Sequence, residues 1–127
     1  MKKGVLLFLL FMVTAASVAL AKNKKDVVYI FGASISLADS TVYLTEIQAL
    51  EGVKLEKGDL PHRQYYAYEL KDYMSRDENM PGRASVIYFS KNRSKLEKKE
   101  IKLRERLIEK ERKNVLYIGS KFKFTKP

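Results

Sequence analysis

The chain has 127 residues, of which 25 are Lys or Arg and 15 are Asp or Glu, so its formal net charge is +10. This length suits one folded domain and leaves no room for two independent ones. Cysteine is absent and histidine occurs once. These counts exclude disulfide scaffolds, thiolate metal sites, cysteine nucleophiles and any site that needs two histidines.

The first 21 residues have the pattern of a secretory signal peptide. Lys2 and Lys3 form a positive head, and the 17 residues after them up to Leu20 carry no charge. Small residues, Ala19 and Ala21, occupy the two positions that a signal peptidase must accommodate. We therefore expect a signal peptide over residues 1–21, with cleavage after Ala21. A retained membrane anchor is the alternative, because a spanning helix needs roughly 17 to 25 residues.

Cleavage would leave a single domain over residues 22–127, with 23 basic and 15 acidic residues and a net charge of +8. An exported basic domain in the periplasm or outside the cell meets envelope polymers before any nucleic acid. The expected partner is therefore an anionic envelope glycan, lipid or protein, and not a nucleic acid. No membrane span is expected after processing, and a homo-oligomer is compatible with the sequence.

Hydrophobic patterning predicts elements in the order β, β, α, β, α, β. The run 27–31 is apolar on both faces and continues with alternating residues to Leu37, which predicts the first strand. Positions 41–45 alternate again after turn residues, so they complete an antiparallel hairpin. Residues 46–58 are expected to hold the end of that strand and a loop.

A short amphipathic helix is expected next, starting at Asp59-Leu60-Pro61. Aspartate is a favourable capping residue, and proline fits the first helical turn. Pro81-Gly82 ends the helix and turns the chain. The apolar stripe consists of Tyr66, Leu70, Tyr73 and Met74.

A strand at the centre of the sheet and a long helix are expected next. Residues 85–89 are apolar on both faces and predict the strand. No Gly or Pro occurs from 95 to 113, which predicts a helix that starts at Ser94 or one turn earlier, near Ser90 or Asn92. Its single buried face is expected to combine Leu96, Ile101, Leu103, Leu107 and Ile108.

The predicted elements assemble into one α+β domain. Residues 115–118 predict another buried strand, and Phe122 and Phe124 alternate with lysines in an edge ribbon or an ordered tail. The strand, helix and strand from 85 to 118 are expected to form a right-handed crossover with parallel strands. With the first hairpin they give a mixed four-stranded sheet with both helices on one face, a two-layer sandwich.

Catalysis is not expected from this residue inventory. His62, the only imidazole, would need a carboxylate to orient it and a nucleophile within reach. Asp59 is the candidate carboxylate, but no serine signature accompanies it, so an exposed residue at a helix start is the preferred interpretation. A small exported hydrolase with a cryptic site near His62 is the alternative. No cofactor and no metal site are predicted, because the ligands that they require are not clustered.

The candidate ligand-binding residues are tyrosines and cations. Tyr65 and Tyr68 project away from the apolar stripe of the short helix, where they can stack on a sugar or a peptide while neighbouring cations hold an anion. Packing of the tyrosines on a neighbouring loop is the preferred interpretation, and a binding site is the alternative. The tail carries lysines without an acid after Glu111 and is a candidate cationic patch. The candidates are Arg63, Tyr65, Tyr68, Lys71, Lys121 and Lys123.

Four short motifs allow the chain to be compared with known families. They are Tyr29-Ile30-Phe31-Gly32, residues 39–48, Tyr66-x-Tyr68-x-Leu70-x-x-Tyr73, and Phe122-Lys123-Phe124. Together they resemble a family of small, uncharacterised exported proteins of Bacteroides-type bacteria. The resemblance implies a Gram-negative periplasmic or secreted location and brings no site residues. Residues 86–122 also resemble one half of a SPOR domain, which implies recognition of peptidoglycan strands as a hypothesis.

These observations favour a non-catalytic periplasmic or secreted module that binds or assembles with an anionic envelope polymer or a protein partner.

The signal peptide gives the first testable prediction. Mass spectrometry of the exported protein should find Lys22 as its amino terminus, because the small residues at Ala19 and Ala21 direct cleavage there. An intact Met1 in the membrane fraction would contradict this prediction.

Overall fold

The structure, a computed structural model, describes residues 26–127. The predicted signal peptide, with its cleavage residues Ala19 and Ala21, lies outside the described residues. A 3-10 turn, Gly119–Lys121, follows the last strand. The strands and helices, in chain order, are β1 (Val27–Ile35), β2 (Thr41–Leu44), β3 (Gln48–Glu51), α1 (Arg63–Arg76), β4 (Ala84–Ser90), α2 (Arg93–Glu109) and β5 (Asn114–Tyr117).

β1 is the central strand of a mixed sheet and pairs along both of its edges. β4 runs antiparallel to it along one edge. The other edge is divided between β3, opposite residues 27–30, and β2, opposite Ala33 and Ser34. β5 lies beyond β2 as its parallel neighbour. Every other strand therefore takes its position from β1, directly or through β2.

A β-bulge separates β2 from β3. The register against β1 differs by one residue between the two strands, so one extra residue must be accommodated. Thr45 closes the gap: its N–H donates to the Gly32 carbonyl at 3.0 Å, and its Oγ1 accepts from the Gly32 N–H at 2.9 Å. A side-chain oxygen thus replaces a missing carbonyl, and Thr45 is buried together with Leu44.

The two helices cover opposite faces of β1. Val28 and Ile30 pack beneath α1, whereas the alternate residues Phe31 and Ala33 pack beneath α2. Loop and tail residues complete the first cluster. The α1 cluster comprises Val28, Ile30, Leu50, Leu60, Tyr66, Leu70, Met74, Ile87, Phe122 and Phe124, and the α2 cluster comprises Phe31, Ala33, Val42, Leu44, Leu96, Leu103 and Leu107.

The expected α+β class, with a mixed sheet and two helices, is confirmed. The sheet has five strands where four were expected, because β3 occupies part of the segment interpreted as a loop. β3 buries only Leu50, so its sequence lacks a strong alternating signal. The helices lie on opposite faces and not on one, so the sandwich has three layers. This placement follows from a β1 strand that is apolar on both faces and needs cover on each.

The crossover places β5 at an edge of the sheet. β4 and β5 point in the same direction, as expected, but β1 and β2 lie between them. Leu116 and Tyr117 are 51% and 47% exposed, so the expectation that residues 115–118 form a buried strand was wrong. Only Val115 of β5 packs against the α2 cluster.

The buried face of α2 is narrower than expected. Leu96, Leu103 and Leu107 are buried as predicted, but Ile101 and Ile108 are 42% and 47% exposed. These isoleucines lie about a third of a turn from the leucine stripe, beyond the strip that faces the sheet. The expectation of one buried face with all five residues was therefore wrong for the two isoleucines.

The helix boundaries depend on local capping. α1 starts after His62, which adopts a left-handed conformation (φ 61°) without a side-chain cap, and so starts later than Asp59. Its predicted inward residues Tyr66, Leu70 and Met74 are buried.

For α2, the earlier of the two predicted starts is confirmed. Asn92 caps the helix, and its Oδ1 accepts from the Lys95 N–H at 3.0 Å. The helix ends at Glu109, short of the predicted end at 113. Arg112 then takes a positive φ of 53°, and the Lys113 N–H donates to the Leu107 carbonyl at 2.8 Å. These contacts turn the chain before β5.

The close approach of α1 to β1 predicts that Gly32→Ala destabilises the fold. An added Cβ would lie 2.7 Å from Leu70 Cδ2 and 3.2 Å from the Phe124 ring. Because Leu70 is fully buried, relief requires repacking, so we expect a loss of about 1–3 kcal/mol in the free energy of unfolding, measured in urea.

Leu70→Ala is the control for this prediction, and by itself it should lower the free energy of unfolding by about 2–5 kcal/mol. The double variant should cost less than the sum of the two single variants, because alanine at position 70 removes the clash. Additive costs would show that the close approach is not the cause.

Candidate functional site

Of the two candidate tyrosines, Tyr65 lies on the side of α1 that borders the carboxy-terminal tail. The Tyr65 hydroxyl lies 3.4 Å from Thr125 Oγ1, and its ring meets Tyr66 edge-on at 5.6 Å. The Thr125 N–H and hydroxyl both donate to the Glu69 carboxylate. Tyr65 thus packs on a neighbouring segment, whereas Tyr68 is 63% exposed.

The candidate cations of α1 lie away from Tyr65. Arg63 is two residues before it, about 200° around the helix, and so projects from the opposite side. Its guanidinium lies 5.8 Å from the centre of the Phe89 ring and forms an exposed ion pair of 3.6 Å with Asp59. Lys71 is exposed one turn beyond Tyr68. The structure therefore brings Arg63 to the sheet and not to the tyrosines.

The tail is ordered beside β3, with its phenylalanines inward and its lysines outward. The amide of Gln48 holds it: Nε2 donates to the Phe122 carbonyl at 3.1 Å, and Oε1 accepts from the Phe124 N–H at 2.8 Å. Both rings are buried in the α1 cluster, while Lys121 and Lys123 are exposed. Of the two predicted forms, the ordered tail is the one observed.

The outer edge of β4 is unpaired, because within residues 26–127 this strand pairs only with β1, so the expectation of a central strand at 85–89 was wrong. The N–H and C=O groups of Gly32 face Thr45 on the β2 side. Backbone groups alternate in direction along a strand, so those of Phe31 face β4, where they meet Tyr88. The backbone groups of β4 that point away from the sheet are therefore those of Ser85, Ile87 and Phe89.

A groove of about 480 Å³ runs beside this edge, with α1 on one side and α2 on the other. Ile87 and Phe89 contribute apolar surface to it, and three cations line it from different elements. Arg63 comes from α1, Lys91 follows β4, and Lys99 comes from α2. We call this surface the β4 groove and define it by Arg63, Ile87, Phe89, Lys91 and Lys99.

A second cavity extends the β4 groove towards the start of β1. It has a volume of about 540 Å³ and shares Leu55 and Lys91 with the groove. It adds Lys54 and one acid, Asp26. Among the residues that line the two cavities, four are cationic and one is acidic, so an anion is the favoured occupant.

His62 lies at a third cavity, of about 330 Å³, next to Tyr66 and Lys126. The carboxylate expected to orient it is engaged elsewhere: Asp59 accepts from the Leu60 N–H at 2.9 Å and pairs with Arg63. His62 itself is exposed at the amino-terminal end of α1. This geometry gives no support to a base and nucleophile pair at His62.

Sequence reasoning missed a buried cation, Arg83, which is 4% exposed. Its Nε donates to Ser34 Oγ at 2.9 Å, and one terminal nitrogen donates to the carbonyls of Ser34 and Thr41. The other terminal nitrogen pairs with Asp39 at 3.1 Å, and the guanidinium lies 5.0 Å from the Tyr43 ring centre. Arg83 thus ties the start of β4 to the β1–β2 turn. Its partners are more than 40 positions away in the sequence, and no local pattern marks them.

Asp39 is held in its charged form in this cluster. The Thr41 N–H donates to its carboxylate at 3.0 Å, and this bond is the main reason why its pKa lies below the ordinary value. Arg83 lowers the pKa further, while partial desolvation opposes both effects.

The described residues show neither a metal-ligand cluster nor a membrane helix. Within 26–127, no group of three or more His, Cys, Asp or Glu side chains is placed to hold a metal ion. Over the same range, no helix is long and apolar enough to cross a membrane.

Comparisons of the chain with family models, with curated proteins and with solved structures found no match.

The depressed pKa of Asp39 predicts a pH dependence of stability. A carboxylate with a lowered folded pKa contributes stability above its unfolded pKa, about 3.9, and loses it as the pH falls through the folded value. The difference in free energy of unfolding between the native protein and Asp39→Asn should therefore be constant from about pH 5 to 7 and shrink below about pH 4. Urea unfolding at each pH measures it, and a difference that widens in acid would contradict the assignment.

Proposed function

We propose that this protein is a non-catalytic binding module of the bacterial cell envelope that holds an extended anionic partner in the β4 groove. The observation that carries the proposal is that, within the described residues, an unpaired strand edge borders a groove lined by three cations. Either feature alone would be ordinary, but together they match a ligand that has both an extended backbone and negative charge.

The strand edge favours a polypeptide over a glycan. The outward N–H and C=O groups of Ser85, Ile87 and Phe89 can form ladder hydrogen bonds with a peptide that adds as a further strand. A glycan lacks the alternating amide donors and acceptors that this edge would satisfy. Ile87 and Phe89 supply apolar contact for alternate side chains of the added strand.

The cations favour an acidic polypeptide. Arg63, Lys91 and Lys99 flank the edge from three elements, so carboxylates of a bound strand would find a cation on either side. Arg63 already carries an exposed ion pair with Asp59, a type of pair that contributes little in water. A ligand carboxylate can therefore replace Asp59 at little cost.

The envelope location rests on the predicted signal peptide over residues 1–21 and on the resemblance to exported proteins of Bacteroides-type bacteria. In that compartment, the acidic partner is an exposed segment of another envelope protein. The assembly role follows, because addition of a strand joins two chains through their backbones.

The proposal predicts binding of a labelled peptide of alternating Glu and Val, measured by fluorescence anisotropy at low salt. Lys91→Glu with Lys99→Glu should weaken the affinity about tenfold or more, because two attractive contacts become repulsive. Higher ionic strength should also weaken binding to the native protein.

Two matched controls test whether binding depends on the groove cations and on backbone pairing, and not on net charge alone. Lys98→Glu with Lys110→Glu changes the net charge equally at exposed positions outside the groove lining, and should reduce the affinity much less. A peptide with N-methyl groups on alternate amides should bind weakly, because it cannot complete the ladder. Equal losses in both double variants, or stronger binding of a polyuronate than of the peptide, would overturn the proposal.

A further inference from the structure

The second unpaired edge of the sheet, at β5, has a different character from the β4 edge. Among the described strands, β5 pairs only with β2. Two of its four side chains are large, apolar and about half exposed, namely Leu116 (51%) and Tyr117 (47%). An exposed apolar edge strand can pair with a strand of another chain, so a partner strand is expected at β5.

The backbone of β5 offers a short, well-defined set of groups. The Asn114 N–H donates to the Ser40 carbonyl, and the Ile118 N–H donates to the Leu44 carbonyl, so even-numbered residues face β2. Backbone direction alternates along the strand. The N–H and C=O groups of Val115 and Tyr117 therefore point outward.

We propose that β5 pairs with β5 of a second copy of this chain, antiparallel and about a two-fold axis at Leu116. In this register Val115 of each copy bonds to Tyr117 of the other, so all four outward backbone groups of each strand are used. Leu116 then lies opposite its own counterpart in a non-hydrogen-bonded pair, where side chains approach most closely. The result is an isologous dimer with a continuous sheet across both copies.

The side chains at this edge are arranged for such a pair. The Tyr117 hydroxyl donates to Glu100 and accepts from Arg104, both on α2, so its ring is fixed before any partner arrives. In the proposed register, the Tyr117 ring lies opposite Val115 of the second copy on the same face of the sheet. A fixed aromatic side chain loses little conformational entropy on association.

Charge explains why the second copy pairs at β5 and not at β4. β5 itself carries no charged side chain, so antiparallel pairing with a second copy places no like charges opposite each other within the strand. An antiparallel pair of β4 strands would bring two cationic grooves together, each with Lys91 and Lys99. Like charges across paired strands are destabilising.

The register is tested by a cysteine at its centre, since the native sequence contains none. In Leu116→Cys, the Cα atoms of the two copies would lie about 4.5 Å apart, within the range of about 4.4–6.8 Å that a disulfide requires. Under mild oxidation this variant should form a covalent dimer at least about tenfold faster than Leu37→Cys, which places a cysteine on the exposed β1–β2 turn. Equal rates for the two variants would overturn the proposed register.

Sedimentation analysis of the protein expressed from the whole sequence tests the dimer itself. We expect the native protein to form a dimer. Leu116→Lys should raise its dissociation constant about tenfold or more, because the ammonium groups of the two copies would face each other across the two-fold axis. Leu37→Lys should leave the dissociation constant unchanged. Circular dichroism should show both variants folded, because both positions are at least half exposed. A monomer at every concentration up to about 1 mM, or a dimer indifferent to Leu116→Lys, would overturn the proposal.

Discussion

Burial of β1 on both faces and pairing along both of its edges is the constraint on which the rest of this structure depends. A strand covered twice must carry apolar side chains in both directions, and Ile30 and Phe31 are each fully buried on opposite sides. Where α1 approaches most closely, only a glycine fits, and Gly32 supplies that space beneath Leu70. The same glycine bonds to Thr45 through its backbone, so the bulge and the helix contact meet at one residue.

The central position of β1 determines which edges remain for partners. The edge beside β3 is covered by the tail, because Gln48 holds the backbone of Phe122 and Phe124 and both rings complete the α1 cluster. At the carboxy-terminal end of β1, Arg83 links the β1–β2 turn to the start of β4. Within residues 26–127, β3, β4 and β5 each pair with one strand only, and of these β4 and β5 have no tail beside them. Both strands contact helices, and sites built on regular elements fix a register more precisely than sites on loops.

The sequence predicted the parts of the fold whose signal is local. The apolar run at the start of β1, the inward stripe of α1 and the leucines of α2 were all predicted from spacing, because one element's period suffices to find them. β3 was not predicted, because it buries only Leu50 and lacks an alternating apolar pattern. The placement of the helices on opposite faces was not predicted, because the sequence of a helix does not show which face of the sheet it covers. The candidate site was predicted only in part. Arg63 was a candidate from the sequence, but Lys91 and Lys99 were not, because only the folded chain brings them to the same groove. Arg83 had no local signal at all.

The β4 and β5 edges belong to opposite sides of the sheet and differ in charge, so the two proposals assign them different partners. The β4 edge carries cations from both helices, so a second β4 edge would be repelled, and the proposed partner is an acidic strand. The β5 edge carries Leu116 and the hydrogen-bonded ring of Tyr117, without a cation in the strand itself, and its proposed partner is a second copy. Since β1 and β2 separate β4 from β5, occupation of one edge leaves the other accessible. A dimer through β5 would therefore present two β4 grooves, and a partner with two acidic segments would bind it with an avidity that a monomer lacks.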